Sequence, residues 1–234
     1  MGLSTLPLRA SWVAFCGMLQ LFFAGSVRAQ SAPPPAQPGG SPAPKRVLLV
    51  HGIYNSERAM RRMKQYLEAR GWEACSISLK PSDASVSFDA MARQLEGFAD
   101  AAYPNGEKFD LVAFSMGGLV SRYYIQKLGG YRRVRRFITV STPNHGTAWA
   151  WLGSLPGVKE MRPGSAMLRE LNGDTSRLVP LDYTSLYTPF DLSIVPASSS
   201  RMTVARNVIC WVPLHPLMII MPGPMREVEL ALER

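Results

Sequence analysis

Residues 109–125 read FDLVAFSMGGLVSRYYI, and the fold turns on what Ser115 is doing at the centre of AFSMG. FDLVAFS is a buried-strand pattern, and GGLVSRYYIQKLGG is a helical one stopped by Gly129 and Gly130. A strand, a sharp turn and a helix in that order expose a nucleophilic serine in the G-x-S-x-G elbow. The elbow needs small residues because the turn crowds their side chains against neighbouring backbone. Here Ala113 stands where the first glycine is expected. Alanine adds one methyl group, the smallest departure available, and Gly117 and Gly118 keep the far side of the turn open.

The rest of the chain supplies what a nucleophile needs. Met116 begins the helix, where unpaired N–H groups and the helix dipole favour negative charge, so its N–H is one oxyanion donor. VLLVHGI, residues 47–53, is an apolar strand ending in His-Gly, and the loop after it offers the N–H of Ile53 as a second donor. Three histidines are available as a base. His51 belongs to the turn that ends the first strand, and His145 lies in the loop STPNHGT. His215 follows the last strand, in VICWVPLHPL, where the chain order serine, acid, histidine requires the base. The acid of that order is Asp191 in TSLYTPFDLSIVP, beyond the end of a strand, where it can orient the imidazole. Asp182 precedes the same strand at the wrong end of the sheet, and Asp174 is a turn or helix-cap residue.

The chain has 234 residues, 47% hydrophobic and 18% charged, enough for one sizeable core. Residues 1–29 read as a secretory signal peptide: Arg9, an uncharged apolar run, then small residues at Val27 and Ala29. An uncleaved membrane anchor is the alternative. Residues 30–45, QSAPPPAQPGGSPAPK, read as a solvated linker, and residues 46–234 as the catalytic domain. The expected location is therefore periplasmic or secreted. Without Arg9 and Arg28, 24 of the 26 Lys and Arg remain against 17 Asp and Glu, a formal +7. The basic clusters ERAMRRMK and YRRVRR read as solvated faces, with contact to an anionic lipid surface as the minor reading. They lack the aromatic interleaving of a nucleic-acid site. Strand and helix patterns alternate from residue 46, predicting an α/β protein with about six strands in a mostly parallel sheet. A small insertion falls between the strands near 140 and 185. In such sheets the site lies beyond the carboxyl ends of the strands.

VLLVHGI, AFSMGGLVSRYYI, STPNHGT, TSLYTPFDLSIVP and the late histidine together resemble lipase class 2, the small bacterial lipases and esterases of the Bacillus lipase A type. These are α/β-hydrolases, and several of them also carry alanine at the position of Ala113. The resemblance implies a nucleophile Ser115 with partners Asp191 and His215, oxyanion donors Ile53 and Met116, and ester hydrolysis through an acyl-enzyme with no cofactor and no metal. Phe114 departs from it, since such lipases commonly have histidine before the nucleophile. Trp149, Trp151, Leu152 and Leu155, with PLMIIMPGPM after His215, suggest an apolar rim suited to acyl chains. The substrate expected is a carboxylic ester with an apolar acyl group. Two alternatives keep the fold: a thioesterase, amidase or polyester depolymerase with the same triad, and a non-catalytic binding scaffold. In the family's strand order Cys75 and Cys210 lie at opposite sheet edges, so both are expected as free thiols.

Overall fold

β1 (Arg46–Val50) and β3 (Phe109–Phe114) are apolar at almost every position because both faces of the sheet are covered. A computed structural model describes residues 45–234, so the expected signal peptide and nearly all of the linker lie outside the described residues. Alternation along the strands divides the core in two. Leu48, Val50, Leu111 and Ala113 enter one cluster, and Val47, Leu49, Val112 and Phe114 the other. With β2 (Glu73–Ile77), β4 (Val134–Val140), β5 (Asp182–Tyr187) and β6 (Arg206–Ile209), the sheet has six strands in the order β2-β1-β3-β4-β5-β6. Every pairing is parallel.

The covering helices follow from their apolar spacing. α1 (Arg61–Glu68) buries Met63 and Leu67, and α2 (Phe88–Ala102) buries Phe88, Met91, Ala92, Leu95 and Ala99 along one stripe. Ser87 caps α2 by accepting from the Ala90 N–H at 3.3 Å. α3 (Met116–Lys127) follows β3 directly and has no side-chain cap. The insertion between β4 and β5 holds two short helices, α4 (Pro156–Glu160) and α5 (Ala166–Gly173), the second capped by Ser165. α6 (Pro222–Leu232) closes the chain over the cluster that contains Phe114. Among the described residues no helix is long and apolar enough to cross a membrane.

YRRVRR is explained at the amino end of the sheet. Arg135 holds the fully buried Asp110 through two hydrogen bonds of 2.9 and 3.2 Å, and Arg136 adds its own N–H at 3.2 Å. Its arginines therefore neutralise a buried carboxylate, and Arg133 pairs with Asp100. Cys75 sits in β2 and Cys210 just past β6, at the two sheet edges, and both are free.

Candidate active site

The strand order reverses between β1 and β3, since β2 lies on one side of β1 and every later strand on the other. Such a switch point opens a crevice at the carboxyl ends, and the register puts Val50 beside Ala113 there. The loop after β1 and the elbow after β3 therefore meet. Ser115 takes φ 54° and ψ −126°, a conformation that side chains other than glycine rarely adopt. Its backbone is fixed on both sides: the Ser115 N–H donates to Val140 O at 2.9 Å, and Ser115 O accepts from the Gly118 N–H at 3.0 Å.

The crowding inferred for the elbow is measurable. A Cβ on Gly117 would lie 2.3 Å from His51 O, and one on Gly118 would lie 1.9 Å from Thr142 Oγ1. A Cβ on Gly52 would come within 2.9 Å of the Ser115 Cβ. Ala113 is fully buried and belongs to the core cluster on its face of the sheet. Met116 is the first residue of α3, so its N–H has no helical acceptor. The Ile53 loop is tied down around it: Tyr54 N–H donates to Ser82 O at 2.7 Å, and the Asn55 amide donates to Ile53 O at 3.0 Å.

Asp191 and His215 come together from loops beyond β5 and β6. His215 Nδ1 and Asp191 Oδ2 are 2.7 Å apart, while Asp191 Oδ1 accepts from the N–H groups of Ser193 and Ile194, both at 2.9 Å. Burial pushes the Asp191 carboxyl upward, but the neighbouring His215 and the Ile194 N–H outweigh it and hold the group below the ordinary carboxylate range. It stays ionised. The Thr188 hydroxyl donates to Val212 O and draws the two loops together. His215 is brought to the elbow by Phe114, whose ring centroid lies 4.7 Å from that of the imidazole. Phe114 thus packs on the proposed base itself.

The other histidines do different work. His51 is fully buried; its Nε2 accepts from the Leu79 N–H at 2.9 Å, which leaves Nδ1–H to donate to Gly52 O at 2.7 Å. Burial lowers its pKa and keeps it neutral. His145 lies within reach of Arg201 O and the Asn172 side chain, in a loop. Among the described residues no cluster of three or more His, Cys, Asp or Glu could hold a metal ion.

Several supports left no mark in the sequence. Arg122, on α3, is fully buried; it donates to Asn144 O at 3.1 Å, Leu171 O at 3.0 Å and Asn172 Oδ1 at 2.9 Å. Burial lowers its pKa to about 10, so it remains a cation among carbonyls. Thr147 continues the tie, its hydroxyl donating to Ser193 O and accepting from the Val195 N–H beside Asp191. The stretch after His215 needs correcting: Met218, Ile219 and Met225 are buried in the core instead of forming a rim. Trp149, Trp151 and Leu152 are exposed, whereas Leu155 packs on the core.

Comparisons with known proteins agree with this architecture. A family model described as palmitoyl protein thioesterase matches residues 46–188, which includes the β1 loop and Ser115 and stops short of Asp191 and His215. Lysosomal thioesterase PPT2 of Mus musculus is 30% identical over 116 residues, 48% of this chain and 37% of that protein. The Homo sapiens protein of the same name is 29% identical over 115 residues, 45% of this chain and 38% of its own length. The chain thus spans less than two fifths of these curated relatives. Among solved structures, mature lipase BlEst2 of Bacillus licheniformis superposes with a TM-score of 0.67 at 20% identity, covering 84% of this chain and 96% of that one. Lipase B of Aspergillus fumigatus gives 0.61 at 16% identity, covering 82% and 57%. At these identities the likeness is one of fold, and the fold is the α/β-hydrolase fold.

Proposed function

Because this chain belongs to the palmitoyl protein thioesterase family, a group of thioesterase- and lipase-like hydrolases, we propose that it is an exported serine hydrolase. It cleaves lipid-like acyl esters through an acyl-enzyme on Ser115. The observation that carries the reading is the 2.7 Å bond between Asp191 and His215, held against the elbow by Phe114. His215 Nδ1–H donates to Asp191, which leaves Nε2 free to accept the Ser115 proton as Oγ attacks the substrate carbonyl. The N–H groups of Ile53 and Met116 receive the oxyanion. Nε2 then protonates the leaving group, and water repeats the sequence to release the acid.

Family membership favours an acyl chain carried on sulfur. A thiol with a pKa of about 8.5 leaves far more readily than an alcohol, so the thioester places less demand on His215 as an acid. The oxyester is the second reading, supported by the resemblance to lipase class 2. The relatives named lysosomal thioesterase act in a lumenal compartment, in keeping with export here.

Purified protein given matched acyl thioesters and p-nitrophenyl esters of graded chain length decides between them. Thioesters should show the higher kcat/KM, and Ser115→Ala should abolish both activities and labelling by a fluorophosphonate. Labelling that survives in Ser115→Ala would refute the assignment of the nucleophile.

A further inference from the structure

Three separate segments beyond the carboxyl ends of the strands, residues 141–158, 188–200 and 210–225, contain between them a single Asp, Glu, Lys or Arg. That residue is Asp191, which is buried against His215. The same segments carry most of the large apolar side chains that the fold leaves in water. Trp211 is 73% exposed, Trp151 59%, Leu192 58% and Phe190 52%, with Leu152 and Trp149 beside them in sequence.

These side chains form one face. Trp149 Nε1 donates to Leu192 O at 2.7 Å, joining the 148–152 turn to the Asp191 loop. Phe190 lies 5.9 Å, centroid to centroid, from Trp211, joining that loop to the one leading into His215. The patch is thus built around the Asp191–His215 pair, and folding does not bury it. Scattered single apolar residues need no explanation, but a contiguous patch of aromatic and aliphatic groups does.

We infer that this face seats on a lipid–water interface, placing Ser115 at the surface where acyl chains emerge. Tryptophan suits that position, with an apolar body and a polar N–H, and the Arg162 guanidinium, 4.9 Å from the centre of the Trp151 ring, sets a cation beside the aromatic groups where anionic headgroups would lie. In sequence each segment runs directly into an exposed cation, Lys159, Arg201 and Arg226 respectively, a charge that anionic headgroups would complement. The formal +7 of the chain from Lys45 onward adds long-range attraction to the same surface.

The surface and the chemistry are separable. In a Ser115→Ala background, brominated lipids in phosphatidylcholine–phosphatidylglycerol vesicles should quench tryptophan fluorescence of the full chain. Adding Phe190→Asn and Leu192→Asn, which leaves every tryptophan as a reporter, should weaken that quenching several-fold. With Ser115 restored, the same pair should lower hydrolysis of a vesicle-borne acyl ester about tenfold and leave hydrolysis of a monomeric short-chain ester unchanged. Quenching that is absent, or indifferent to the two substitutions, would overturn the inference, as would an equal fall in both activities. A Ser115→Ala enzyme that retains activity would instead remove the proposed chemistry and leave the surface standing.

Discussion

His215 is held from two directions, by Asp191 through a hydrogen bond and by Phe114 across its ring. Neutralising the acid tests the first. On the proposed mechanism Asp191→Asn keeps the shape but removes the charge that would stabilise an imidazolium, so kcat should fall by about 10⁴ with KM little changed, the size of effect known for Ser-His-Asp triads. Steady-state kinetics on either ester class reads this directly. The same variant has a signature in stability. A carboxyl held below its ordinary value stabilises the fold fully above about pH 3.9, and that contribution is lost as the pH falls through the lower folded value. The gap in Tm between wild type and Asp191→Asn should therefore be widest near neutrality and close toward strong acid. Ala113 behaves differently. Its methyl is buried in β3 within the core, so Ala113→Gly should leave kcat within a few-fold and cost about 0.5–1 kcal/mol in thermal or denaturant unfolding. The triad candidates were legible because chain order and strand ends constrain them. The tilted contact of Phe114 with His215 was not, since it depends on where a long loop returns.

Between β1 and α3 the elements approach so closely that the two elbow glycines are structural necessities. A methyl on Gly117 would be forced against a backbone carbonyl, His51 O, which cannot swing aside as a flexible side chain can. Gly117→Ala should push the β1 loop and the Ile53 N–H away from Ser115. Losing one oxyanion donor costs about 10²–10³ in kcat, and that loss should accompany a lower Tm. Arg122 couples α3 to the 142–146 loop and to the end of α5. Arg122→Met fits the volume but strips donors from buried carbonyls, at about 1–3 kcal/mol for each group left unpaired. Denaturant titration should show a loss of that size, with the midpoint shifted and the slope unchanged. The strands and longer helices could be read from apolar periodicity and glycine stops. Arg122 could not, because its acceptors come from elements 22 and 49 residues away and no local pattern brings them together.

At the scale of the molecule, the strand order decides which residues can meet. It turns back at the β1–β3 boundary and thereby gathers an early loop, a central elbow and two late loops at one end of the sheet. That order was legible only through the family resemblance, since six parallel strands can be arranged in many ways and apolar patterning is the same in all of them. The thiols provide a test of it. Cys75 and Cys210 stand at opposite edges, five strand spacings apart, or roughly 24 Å, against a limit of about 7 Å between the Cα atoms of a disulfide. Burial pushes the Cys210 thiol up to about 12 and raises that of Cys75 as well, so neither is a ready nucleophile toward external oxidants in the folded protein. Native protein should resist alkylation at both positions. After unfolding without reductant, both cysteines should be modified, and a peptide digest should contain each in alkylated form. A peptide pair joined through Cys75 and Cys210 would require the two edges to come together, and so would rule out this sheet.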